Sequence, residues 1–185
     1  NIGTVIVKHT NPCGASILKN SLESYKSALA SDPLSAFGGI VSCNFKINKN
    51  LATELNKIFL EVVIGNGFEK NAIKILKAKK NLRLIDASDF RLNENLKFNS
   101  FSDSLLVQSE DQKILSKKNF YVASKKKPTK LQFDNLIFAF NICRFVKSNA
   151  IVLVDNKTTI GIGCGQTSRL DSCCLLYTSP SPRDR

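Results

Sequence analysis

An alternation running through the first half of the chain sets the tightest limit on its fold: short apolar runs, rich in β-branched residues, are separated by segments with amphipathic-helix spacing. The runs at 4–7, 40–45, 61–64 and 81–85 read as strands. Between the first two, residues 15–30 carry Ile17, Leu18, Leu22, Tyr25 and Leu29 at helical spacing until Asp32-Pro33 stops them. Asn48 or Asn50 caps a second helix reaching about residue 60, with Leu51, Leu55 and Phe59 on its apolar face. A third helix spans 69–79, after the strand break Gly65-Asn66-Gly67. Strands and helices of these lengths imply a three-layer α/β fold, a mainly parallel sheet with helices on both faces.

The pattern loosens over 86–121, where 105–108 is the clearest strand. Pro128-Thr129 starts the longest helix, 129–147, whose wide apolar surface predicts burial on more than one side. Segments 150–154 and 158–162 flank Asp155-Asn156-Lys157 as a β-hairpin, and glycines 161, 163 and 165 lead into a helix start near Ser168. Those glycines lack the GxGxxG spacing of a dinucleotide site, so a turn is the preferred reading.

A chain of 185 residues is long enough for one domain with a proper core. It contains no run of about 18 apolar residues, hence no membrane partner is expected. No secretory leader is visible, although the chain starts inside a strand pattern. Its six cysteines form no CxxC pair, which suggests neither a zinc site nor a disulfide framework and fits a cytoplasmic location. The net charge of +12 raises nucleic acid as a partner. Yet the lysines are scattered, with short clusters at Lys77, Lys79 and Lys80 and at Lys125, Lys126 and Lys127, and no aromatics alternate with them as a stacking groove requires. A solvated basic surface is expected instead, and the alternative function is a non-catalytic domain binding anionic ligands or RNA.

The first strand ends in Lys8-His9-Thr10-Asn11-Pro12, and His9 is the only histidine. A base and a cation at the carboxyl end of a strand stand where open α/β sheets bind ligands. Adjacent strand residues face opposite ways, so both reach one substrate only if the strand ends there, an ending expected from Asn11-Pro12.

Three stretches, Lys8-His9-Thr10-Asn11-Pro12-Cys13-Gly14, Ser31-Asp32-Pro33-Leu34-Ser35-Ala36-Phe37-Gly38-Gly39 and Ser148-Asn149 with Gly161 through Gln166-Thr167-Ser168-Arg169, closely resemble the transformylase half of the AICAR formyltransferase/IMP cyclohydrolase family. The resemblance implies a cytidine-deaminase-like fold and formyl transfer from the cosubstrate 10-formyltetrahydrofolate to the 5-amino group of AICAR, in a homodimer with composite active sites and without a metal. It makes His9 the proton acceptor and Lys8 the cation of the transition state. Phe37 and Gly38 become a turn approaching the nucleotide. Glu61 is an acidic nucleotide contact or a charged junction residue; Asn149 orients the carboxamide or formyl oxygen or caps a helix; Arg169 pairs with the substrate or is a solvated helix residue. A zinc deaminase, the other chemistry this fold suggests, needs a Glu two residues after the His and P-C-x-x-C, and the chain has neither.

Gly65-Asn66 and Ser102-Asp103-Ser104 depart from the family pattern in loops. The resemblance divides the chain into residues 1–123, a first α/β subdomain, and 124–173, a long helix and the start of a second. Residues 174–185 resemble translated adapter sequence, so native sequence is expected to end near Cys173. It also implies that segments completing the phosphate and folate sites lie outside the chain, which alone is expected to be inactive.

Overall fold

The computed structural model describes residues 2–91, 96–111 and 113–178. Its centre is a seven-stranded sheet. Strand β1 (Ile2–Lys8) turns through His9 and Thr10 directly into β2 (Asn11–Leu18), an antiparallel hairpin. Asn20 then caps helix α1 (Ser21–Ser31), its side chain accepting from the amides of Leu22 and Glu23 at 2.8 and 3.2 Å. The helix expected over 15–30 is therefore strand in its first part. Small residues decide this: Gly14, Ala15 and Ser16 lie where β2 runs beneath α1, and an added Cβ at Gly14 would stand 1.9 Å from the Ala28 carbonyl oxygen. Asn11-Pro12 opens β2 and does not end β1; the two-residue turn does that.

Strands β3 (Gly39–Cys43), β4 (Leu60–Gly65) and β5 (Arg83–Asp86) follow, with α2 (Lys49–Leu55) and α3 (Lys70–Leu76) between them. A hairpin outside the sheet, β6 (Leu96–Phe101) and β7 (Ser104–Ser109), occupies the loosely patterned region. After it come α4 (Lys130–Cys143), β8 (Ile151–Asp155), β9 (Thr158–Gly163) and α5 (Arg169–Thr178). The sheet order is β5-β4-β3-β1-β2-β9-β8. Pairs β3–β4 and β4–β5 are parallel, as the alternation predicts, whereas β1–β3, β1–β2, β2–β9 and β8–β9 are antiparallel. The sheet is mixed because two hairpins, one unseen in the sequence pattern, are built into it.

One continuous core joins Ile6, Val41, Leu60 and Val63 of the sheet to Tyr25, Leu51, Leu55 and Leu76 of α1, α2 and α3. Gly163 abuts the Ser172 carbonyl on α5, and the Thr159 hydroxyl bonds that of Ser31 at 2.9 Å, so α5 shares that face. Helix α4 covers the opposite face, where Phe138 and Ile142 line a hollow together with Val5, Ile17 and Ser42. Helices thus flank both faces. The breadth of apolar surface on α4 does not translate into burial on several sides: only Phe138 is buried, while Leu131, Leu136 and Phe140 are exposed. Helix α5 runs past Cys173 to Thr178; the rest of the tail expected to be foreign, residues 179–185, lies outside the described residues.

Candidate active site

Because β1 runs antiparallel to β3, the carboxyl end of β1 meets the amino ends of β3 and β4. On its other side β2 starts where β9 ends and β8 begins. One edge of the sheet therefore collects the β1–β2 turn, the entries to β3, β4 and β8, and the exit from β9. The candidate site residues Lys8, His9, Phe37, Gly38, Glu61, Asn149 and Arg169 lie along it. Two β-bulges fall there as well: Val7 pairs Pro12 while Ile6 pairs Gly14, which sets Cys13 out of register, and Gly39 pairs Leu60 while Ile40 pairs Val62, which does the same to Glu61. A bulge re-aims the extra side chain, and such irregularities gather at sheet ends that carry sites.

Lys8 is the last residue of β1, and its ammonium donates to the Phe37 carbonyl. His9 and Thr10 follow with φ of 50° and 65°, left-handed values that reverse the chain within two residues. The reversal frees His9 from strand alternation, so Lys8 and His9 line one cavity of about 270 Å³ together with Asn11, Cys13, Asp32 and Cys164. Burial, with the Asp32 carboxylate adding to it, pushes the Cys13 thiol up to about 11, so it remains protonated at neutral pH.

Phe37 and Gly38 stand beside Lys8, outside the cavity lining. Gly38 takes φ 72°, its amide donates to the Phe59 carbonyl at 2.9 Å, and a Cβ there would lie 3.9 Å from the Lys8 ammonium nitrogen. The exposed Phe37 ring packs on Phe59 with centroids 5.3 Å apart. Glu61, two residues past Phe59, is exposed at its bulge. Asn149 does not cap α4, which ends at Cys143. Its backbone amide donates to Gln166 O at 3.0 Å, and its side-chain nitrogen donates to Gln166 O at 3.1 Å and Thr167 O at 3.0 Å. The loop after β9 is held by these bonds and delivers Arg169 as the exposed first residue of α5, behind Ser168, whose hydroxyl accepts from the Asp171 amide at 3.0 Å. The Lys147 amide donates to Asn11 Oδ1 at 3.2 Å and ties this segment to the β1–β2 turn.

Lys8 and His9 thus share a cavity and Phe37 and Gly38 adjoin Lys8, while Glu61, Asn149 and Arg169 stand along the same edge outside the cavity lining. Sequence reasoning missed Cys13 and Asp32. The helix-stop signal of Asp32-Pro33 was legible, but not that α1 ends over the cavity. Among the described residues no group of three His, Cys, Asp or Glu could hold a metal ion. A larger hollow of about 760 Å³ between residues 120–128 and α4 is apolar, with Lys126 and Lys127 as its charged residues, and offers no base.

The sequence model of a family described as AICARFT/IMPCHase bienzyme matches residues 1–177. Three relatives are each named bifunctional purine biosynthesis protein PurH. That of Buchnera aphidicola is 44% identical over 182 residues, covering 97% of this chain and 35% of the relative. That of Wigglesworthia glossinidia brevipalpis is 44% identical over 172 residues, 92% of this chain and 32% of the relative. That of a Thermoanaerobacter species is 46% identical over 167 residues, 90% of this chain and 32% of the relative. The chain spans about a third of the length of these curated relatives.

Proposed function

The chain belongs to the AICARFT/IMPCHase bienzyme family, and from that membership we propose that its sheet edge serves formyl transfer from 10-formyltetrahydrofolate to the 5-amino group of AICAR in purine biosynthesis. The observation that carries the reading is the convergence of the only histidine and its neighbouring lysine on one cavity, through a turn tight enough to end the strand between them.

The amine is a poor nucleophile, because its lone pair is delocalised into the ring and the carboxamide. As the amine nitrogen bonds to the formyl carbon, the bond from that carbon to the folate nitrogen breaks, and the amine proton must leave. In this reading His9 takes that proton, a role typically worth ~10²–10⁴ in rate, and the released folate nitrogen gains one proton in its place, which balances the transfer. Lys8, held against the Phe37 carbonyl, supplies positive charge where the formyl oxygen becomes anionic. Gly38 lets the backbone approach the nucleotide, and Glu61 accepts from a ribose hydroxyl. The Asn149 side-chain nitrogen is committed to the 166–167 carbonyls, so its Oδ1 is the atom that receives the carboxamide N–H. Arg169 offers a fork of donors to the substrate.

The same reading places the fold in the cytidine-deaminase-like class and the protein in the cytoplasm, where all six cysteines stay the free thiols seen here, as a homodimer with composite sites. It also holds that these 185 residues alone do not turn over. The test is to set residues 1–173 in place of the equivalent segment of the full-length Buchnera relative. Formyl transfer is expected from the chimera, and His9→Ala is expected to lower kcat by about 10²-fold or more with nucleotide affinity kept. A chimera that folds but whose His9→Ala variant keeps full kcat refutes the assignment, and transfer by the 185 residues alone refutes their inactivity.

A further inference from the structure

Helix α1 ends at Asp32, which is its C-cap, and no basic residue stands in the last turn. An anion is electrostatically misplaced at a helix C-terminus, so the side chain answers to something other than the helix. Its surroundings show what. Asp32 Oδ1 accepts from the Ser35 amide at 2.9 Å, and its backbone carbonyl accepts from the Ala36 amide at 3.2 Å. Phe37 N then donates to Leu34 O at 3.3 Å, Gly38 N to Phe59 O at 2.9 Å, and Gly39 N to Ala36 O at 3.0 Å. Residues 32–38 are folded into a compact turn by these bonds, and its product is one carbonyl, that of Phe37, presented to the Lys8 ammonium. Asp32 also lines the cavity with Lys8 and His9, and its carboxylate is close enough to Cys13 to help keep that thiol protonated.

We propose that Asp32 is a positioning residue for Lys8: by holding the Ser35 amide it fixes the 32–38 turn, and through the Phe37 carbonyl the turn fixes where the Lys8 ammonium points. The role rests on the reading of the sheet edge as an active site only in calling Lys8 catalytic; the bond chain itself is independent of it. Asparagine keeps an oxygen for the Ser35 amide and alanine does not, so the two variants separate a hydrogen-bonding role from mere bulk.

The experiment uses the 185-residue chain, trace acetic anhydride and peptide-resolved mass spectrometry. In Asp32→Ala the acetylation rate of Lys8 is expected to rise about fivefold, the effect of losing one hydrogen bond's worth of restraint, with Lys26 and Lys49 unchanged. Asp32→Asn is expected to label Lys8 at the wild-type rate. If Asp32→Ala raises all lysines alike it has unfolded, and Ser35→Pro, which deletes the same donor while keeping Asp32, is then read in its place with the same rise expected. Lys8 labelling unchanged in the variant read, or raised as much by Asn as by Ala, overturns the proposal. No nucleotide or folate enters the measurement, so its failure leaves formyl transfer standing, and loss of the chimera's activity leaves this result standing.

Discussion

His9 and Thr10 pass the chain from β1 to β2 at φ 50° and 65°, and the second of these is the costly one. A β-branched residue in the left-handed region is strained by roughly 1–2 kcal/mol, and the Thr10 hydroxyl recovers part of this by donating to the His9 carbonyl at 2.6 Å. Thr10→Gly is therefore expected to raise unfolding free energy by about 0.5–1 kcal/mol in urea titrations, with His9 and Lys8 left in place. The thiols give a second expectation. Burial lifts Cys13 from 9.0 to about 11 and Cys43 to about 12, the latter opposed by its bond with the Thr4 hydroxyl. Both folded values lie above the unfolded one, so this contribution to stability is fully present below pH 9 and is lost as pH rises through 11 to 12. Urea midpoints should fall between pH 9 and about 12, and Cys13→Ala should flatten the fall. His9, a lone histidine before Asn-Pro, was legible as a candidate; its left-handed turn was not, because His-Thr carries a far weaker signal for positive φ than Asn-Gly.

Among the elements, β2 shows how small residues override an apparent period. Ile17, Leu18 and Leu22 fit a helical stripe, yet Gly14-Ala15-Ser16 offers the low surface on which α1 rests, and the strand takes them. The Ala15 amide donates to the Thr159 hydroxyl at 2.8 Å, and that hydroxyl also meets Ser31 at 2.9 Å, so β2, β9 and α1 are pinned at one buried point. Gly14→Ala would drive a methyl into the Ala28 carbonyl and is expected to cost about 3 kcal/mol or more in the same titrations. A loss below about 1 kcal/mol would mean that α1 moves freely over β2. The other elements were easier to read. Asn48 caps α2, and Thr129 and Gln132 form the capping box of α4, because these residue types act locally and leave a local sequence signal.

Over the whole molecule, what the sequence could not carry is the order of strands. Alternation speaks for parallel neighbours and is right for β3, β4 and β5, but which hairpins join the sheet, and on which side, depends on pairings more than 100 residues apart, such as Ser16 with Thr158. That distant pairing brings Asn149 and Arg169 to the edge that holds Lys8 and His9. The two bulges that set Glu61 and Cys13 out of register are likewise invisible in a pattern of period two. Under the proposed function, this edge is a single nucleotide-facing surface. Backbone amide NMR of the 185-residue chain titrated with AICAR tests it most directly. Shifts gathered at His9, Gly38, Glu61, Asn149 and residues 164–169 are the expected result; shifts confined to other surfaces would contradict it.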